Sequence, residues 1–196
     1  MMESVKISLA FMPCEKVNAK IKGIKDVLKS LVGWYSSCNA AGHITICEFE
    51  TTESQLDGIV AILREELSYE HAQYVYFNDY SVFQNGDSYT YYIAPTVQSR
   101  YYFNQRSAVV INALKTKFAL RSMSKEPHLS IGRRLEENML REAKSNLQQI
   151  DLDFFCDAVF VRVFNPVVKQ YDIYTKIPFG GKAREAYASG QLSFNF

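Results

Sequence analysis

One four-residue pattern occurs twice in this chain and limits what it can fold into. His43-Ile44-Thr45-Ile46 and His128-Leu129-Ser130-Ile131 stand 85 positions apart in 196 residues. On a strand, alternation puts the His and the hydroxyl residue on one face and the aliphatic residues on the other. The aliphatic side chains anchor each strand in a core, and the imidazole and hydroxyl line whatever lies opposite. Related by an approximate two-fold axis, the two copies bring two imidazoles and two hydroxyls to one cleft.

The elements around the patterns repeat as well. Val5–Phe11 alternates as a strand, and Val17, Ile21, Ile24, Leu28 and Leu31 mark a helix closed by Gly33. A strand over His43–Phe49 follows. Thr52 with Gln55 is a capping-box signal for a helix whose apolar face is Leu56, Ile59, Val60, Leu63 and Leu67. The aromatic stretch Ala72–Phe83, the turn Asn85-Gly86-Asp87 and the stretch Tyr89–Ile93 make a hairpin. The spacing then predicts a long helix over Val97–Phe118 with Val97, Tyr101, Ala108, Ile111, Leu114 and Phe118 on one side. After the strand His128–Ile131 comes a helix carrying Leu135, Met139, Ala143, Leu147 and Ile150. A β-rich run over Phe154–Phe164, a turn at Asn165-Pro166 and a last strand over Val167–Ile177 complete the order.

The order β-α-β-α-β-β thus appears twice, in a first copy over about residues 1–87 and a second over about 88–180. The tail over 180–196 is loosely specified. No Pro- or Gly-rich linker separates the copies, so the expectation is one α+β domain of two lobes packed around a central cleft.

Composition narrows the function. Lys+Arg number 22 against 21 Asp+Glu, a net charge of +1, which disfavours a long nucleic-acid footprint but not recognition of one phosphate or an RNA end. No apolar run reaches the roughly 18–20 residues of a membrane span, and Met1–Met12 has no secretory character. The four cysteines contain no C-x-x-C pair, and the His at 43, 71 and 128 make no zinc spacing. These point to free thiols in a reducing cytosol and to no zinc site; the expectation is a cytoplasmic protein without metal or other cofactor, taken as a monomer although the sequence does not name its oligomeric state.

Two imidazoles and two hydroxyls suit displacement at phosphorus. A neutral His takes a proton from water, a protonated His gives one to a leaving oxygen, and hydroxyls donate to the non-bridging phosphate oxygens. Arg133 and Arg134 follow the second pattern and are candidates to reach the phosphate; strict alternation favours Arg134. The aromatic residues Tyr89, Tyr91, Tyr92 and Tyr101-Tyr102-Phe103 are read as core with some stacking candidates. Trp34 is read as a core plug, and His71 as a surface residue.

The paired H-x-T/S-apolar motifs resemble the two-histidine (2H) phosphoesterase superfamily, and within it the LigT-like proteins named 2',5' RNA ligase or RNA 2',3'-cyclic phosphodiesterase. Pro127-His128-Leu129-Ser130-Ile131-Gly132-Arg133 fits best. The first motif continues as Glu48-Phe49-Glu50 where many LigT-like members have Phe-Leu-Gly. The resemblance implies a bilobal LigT-like fold and metal-independent opening of a 2',3'-cyclic phosphate, on RNA or a nucleotide, to a 2'-phosphate. It makes His43 the proton donor, His128 the proton acceptor, and Thr45 and Ser130 the phosphate-holding pair. A non-catalytic binder of RNA ends or nucleotides and a hydrolase of a non-RNA cyclic phosphate remain the alternatives, as does reversible 2',5' ligation.

Overall fold

The computed structural model describes residues 4–124 and 126–183; most of the predicted C-terminal tail lies outside the described residues. The chain runs β1 (Ser4–Phe11), α1 (Glu15–Val32), β2 (Ile44–Thr52), α2 (Leu56–Leu67), β3 (Gln73–Asn85) and β4 (Ser88–Pro95). It continues through α3 (Val97–Leu114), β5 (Leu129–Leu135), α4 (Glu137–Asn146), β6 (Leu152–Cys156), β7 (Ala158–Asn165) and β8 (Gln170–Pro178). The order is thus β-α-β-α-β up to Asn85 and β-α-β-α-β-β-β from Ser88 on, with β3 and β4 paired as a hairpin between them.

Two four-stranded antiparallel sheets form the lobes, ordered β2-β1-β7-β8 and β5-β4-β3-β6. Each sheet takes strands from both halves of the chain, and the motif-bearing strands β2 and β5 occupy equivalent edges. α1 lies against α4 and β5, and α2 against α3 and β8. One continuous core joins the lobes. Phe103 on α3 meets Phe11 of the first sheet at 5.0 Å and Phe77 of the second at 5.9 Å between ring centroids.

Local chemistry explains the boundaries. Gly33, at φ +80, ends α1 with its N–H on the Lys29 carbonyl. The Thr52–Gln55 capping box forms, with a single 3₁₀ turn over Glu53–Gln55 before α2. Asn85 pairs with Ser88 across a two-residue loop whose first residue, Gly86, has φ +61, a conformation that favours glycine. β7 is separated from β6 at Asp157, which divides the single β-rich run expected there.

Four expectations about the elements and their buried faces fail. The helix expected to carry Leu135, Met139, Ala143, Leu147 and Ile150 is α4, Glu137–Asn146: Leu135 ends β5, and Leu147 and Ile150 follow the helix. α3 ends at Leu114, and its buried face is Ser99, Tyr102, Phe103, Val110 and Leu114; Val97 and Tyr101 are 82% and 67% exposed. Apolar residues lie all round this helix, so its neighbours choose the buried side. Ser99 Oγ accepts the Tyr76 N–H at 2.8 Å, and Arg106 stacks over Tyr102 and pairs with Glu70 at 3.3 Å. Trp34 is 69% exposed rather than a core plug, because Gly33 turns the chain away from the helix. β8 starts at Gln170, since Asn165 Oδ1 accepts the Val167 N–H at 3.0 Å and keeps Val167 and Val168 in the turn. His71 is exposed, and three of the four free cysteines are buried.

Candidate functional site

His43 and His128 each occupy the residue just before a strand, β2 and β5, and are held the same way. His43 Nδ1 donates to the Ala41 carbonyl at 2.8 Å, and His128 Nδ1 to the Glu126 carbonyl at 2.7 Å. A carbonyl only accepts, so Nδ1 carries the proton and each Nε2 lone pair is left available. Ile44, Ile46, Leu129 and Ile131 are buried beneath them, as alternation requires. Thr45 and Ser130 are half-buried, and among the described residues neither hydroxyl has a hydrogen-bond partner.

A bulge follows each motif and changes the alternation. Ala10 pairs with Thr45 and Leu9 with Cys47, so β2 spends an extra residue and Glu48, opposite Ser8, returns to the Thr45 face. On β5, Tyr92 pairs with Ser130 and Tyr91 with Gly132, which carries Arg133 rather than Arg134 to the Ser130 face. Glu48 and Arg133 therefore occupy equivalent positions in the two copies. Both arginines are exposed; Arg134 has φ +55, and Arg133 is the one of the pair whose charge lowers both imidazoles.

One cation, Arg133, bears on both imidazoles. Burial, then the cations of Arg162, Lys25 and Arg133, hold His43 down to about 3, against the opposing pull of its Ala41 bond. Burial also lowers His128, opposed by its backbone bond to Glu126; Arg133 lowers it further and the Glu126 carboxylate opposes. Arg133 thus acts on both rings. Backbone contacts join the same regions: Glu48 and Arg121 exchange both backbone hydrogen bonds, and Ser124 N–H donates to the Ile46 carbonyl at 3.1 Å.

Several groups at the cleft were missed by the sequence reading. Lys25 is 2% exposed, and its Nζ donates to the carbonyls of Ala40 at 2.7 Å and Ser37 at 3.3 Å. It thereby holds the loop whose Ala41 carbonyl orients His43. The same loop clips the second motif: Ser37 Oγ accepts from Arg133 N–H at 3.0 Å, and Ser36 Oγ donates to the Arg133 carbonyl at 3.2 Å. Gly42 permits this path, since a Cβ there would stand 2.7 Å from Ile21 Cδ1 and 2.8 Å from Asn18 Oδ1. Lys25 interrupts the buried face of α1 between Ile21 and Leu28, which was its visible signal.

On the β5 side, Phe83 stacks on Tyr92 at 4.2 Å, and His128 touches both rings at 5.0 and 5.2 Å. Beside them lies an open hollow of about 390 Å³ lined by Val82, Phe83, Gln84, Asn85, Ser124, Glu126 and His128. Tyr91, Tyr92, Tyr102 and Phe103 are core residues. Among the described residues no group of three His, Cys, Asp or Glu side chains could hold a metal ion, and no helix is long and apolar enough to cross a membrane.

Known proteins share this architecture. TT0787 of Thermus thermophilus superposes with a TM-score of 0.64 at 14% identity, over 90% of this chain and 99% of that one. Escherichia coli LigT in its apo form gives 0.65 at 9% identity, over 90% and 98%. Usb1 of Kluyveromyces marxianus gives 0.52 at 12%, over 89% and 97%. LigT is also known in complexes with 3'-AMP and with phosphate. No curated protein matches the chain by sequence. The family model described as the 2'-5' RNA ligase superfamily matches residues 31–165, which contain both motifs and the strands that present them. The chain belongs to the 2'-5' RNA ligase superfamily, with the bilobal fold of the 2H phosphoesterases.

Proposed function

We propose that this protein is a metal-independent phosphodiesterase that opens a 2',3'-cyclic phosphate, on an RNA end or a nucleotide, to a 2'-phosphate. The observation that carries the reading is the matched pair of imidazoles. Each has Nδ1 fixed on the carbonyl two residues earlier, a free Nε2 and an unpartnered hydroxyl two residues later.

Water attacks phosphorus in line with the 3' oxygen. One imidazole removes the water proton, the P–O3' bond breaks, and the other imidazole protonates the departing O3'. Thr45 and Ser130 donate to the non-bridging oxygens, and Arg133 offsets the charge that builds there. His128 serves as base and His43 as acid. Burial, and after it the nearby cations, disfavour the charged form of His43 in the free protein. A bound phosphate anion offsets those cations and raises His43 toward the charged form that an acid needs. The hollow beside His128 takes the nucleoside, with Phe83 as a stacking face.

The test is hydrolysis of a nucleoside 2',3'-cyclic phosphate in excess chelator. The expected product is the 2'-phosphate, and His43→Ala or His128→Ala each lowers kcat by about 10²–10⁴-fold. A substrate with sulfur at the 3' bridging position needs no proton on leaving, so it rescues His43→Ala but not His128→Ala. Turnover that survives both alanine substitutions rules the reading out. Nucleotide binding without product favours the non-catalytic alternative.

A further inference from the structure

Arg162 is a buried cation that the motifs do not account for. It sits on β7 at 4% exposure, within an otherwise apolar Ala-Val-Phe-Val-Arg-Val-Phe run. Across the sheet it falls in one row with Ser8 of β1 and Glu48 of β2, on the face that carries Thr45. Its Nη2 donates to Ser8 Oγ at 2.6 Å, and its guanidinium lies 5.3 Å from the Tyr171 ring centre. Its Nε has no hydrogen-bond partner.

Two other buried arginine Nε atoms lack a hydrogen bond, in Arg100 and Arg106, but both are in ion pairs, at 2.9 and 3.3 Å. Arg162 is in no ion pair with a described residue. The nearby carboxylate is Glu48, whose charge favours the Arg162 cation although the two make no ion pair. A buried guanidinium that no carboxylate pairs with directly is costly, and a planar edge with a free N–H suits a phosphate. Ser8 and Tyr171 hold that edge over its own row. The Thr45–Ala10–Phe160 row lies two residues along, about 6–7 Å away. That offset separates Arg162 from the phosphate assigned to Thr45 and matches the order of spacing between neighbouring phosphates on a ribose–phosphate chain.

We propose that Arg162, braced by Ser8, anchors a second phosphate of the substrate, so that the cleft prefers cyclic phosphates carrying a further phosphate group. The inference rests on the function proposed above, since it takes the Thr45 row as the reacting phosphate's place. The second group is either a 5'-phosphate on the same nucleoside or the next internucleotide phosphate.

The experiment compares KM for three substrates: adenosine 2',3'-cyclic phosphate, its 5'-phosphorylated form, and the dinucleotide ending in the cyclic phosphate. In the native protein at least one two-phosphate substrate has a KM at least 10-fold below that of the one-phosphate substrate, and which one identifies the source. Arg162→Met brings the ratio to near 1, and Arg162→Lys, which keeps a buried cation, loses most of it. Equal KM values in the native protein, or a preference that survives both substitutions, overturns the proposal. Binding of adenosine 2',5'-bisphosphate against adenosine 2'-phosphate to the His43→Ala/His128→Ala protein gives a readout independent of turnover. A preference of at least 10-fold there, lost in the added Arg162→Lys, supports the anchor even if no substrate is hydrolysed. Turnover without any such preference refutes the anchor alone.

Discussion

Replacing Lys25 by Met separates the stability of this protein from its function. The Lys25 ammonium is buried, and desolvation holds it down to about 8 from 10.5. At 1.36 kcal/mol per pH unit, that lowering corresponds to about 3 kcal/mol. Between pH 8 and 10.5 the unfolded chain keeps the proton that the folded chain has released. The lysine's contribution to stability therefore rises with pH across that window. Lys25→Met has no such dependence. Stability of the native protein minus that of the variant should grow by about 3 kcal/mol from about pH 7.5 to about pH 10.5. Urea unfolding of both proteins at the two pH values measures this, and other titrating groups cancel in the difference. At the lower pH the variant leaves the Ala40 and Ser37 carbonyls without their donor, at about 1–3 kcal/mol each. It also removes the desolvated charge, so net stability changes by less than about 2 kcal/mol. The loop that orients His43 is nevertheless released, and kcat/KM should fall about 10-fold or more. A stability difference that does not move with pH refutes the buried charge. Unchanged kcat/KM refutes the positioning role.

Two further outcomes follow from the cleft. The reaction needs one imidazole charged and one neutral, and both rings are held below the usual 6.5, His43 at about 3. The pH profile of kcat/KM should therefore reach its maximum on the acid side of 6.5 and decline as pH rises through the upper of the two values. A decline that begins only above about pH 7 contradicts the burial argument. Phe83→Ala removes the stacking face beside His128, worth about 1–3 kcal/mol per base, so KM should rise about 5- to 150-fold for cyclic nucleotides. The same change should matter much less for ribose 2',3'-cyclic phosphate, which has no base; equal losses on both would show that Phe83 acts through folding.

Most of the helices and strands, and the four motif residues, were legible in the sequence because those signals are local. Each depends on alternation over a few residues, helix spacing, or a turn such as Asn85-Gly86-Asp87. What it hid depends on pairing between distant strands. Strict alternation from Ser130 leads to Arg134, and only the register of β5 against β4 shows that a bulge presents Arg133 instead. Gly132 within that strand was the one hint; β2 has the equivalent bulge with no glycine to signal it. Arg162 and Ser8 lie 154 positions apart, and only the β1–β7 pairing joins them. The buried side of α3 was likewise settled by its neighbours, which covered Ser99 and left Val97 and Tyr101 to solvent.

The proposed chemistry requires His43 and His128 to answer to the same anion. Nitrogen-detected NMR of the two imidazoles, titrated with inorganic phosphate and repeated across pH, tests this most directly. Both Nε2 resonances should move along one saturation curve, both rings should protonate at higher pH once phosphate is bound, and His43 should show the larger change. A response from one ring alone, or two curves with different midpoints, would contradict the shared site.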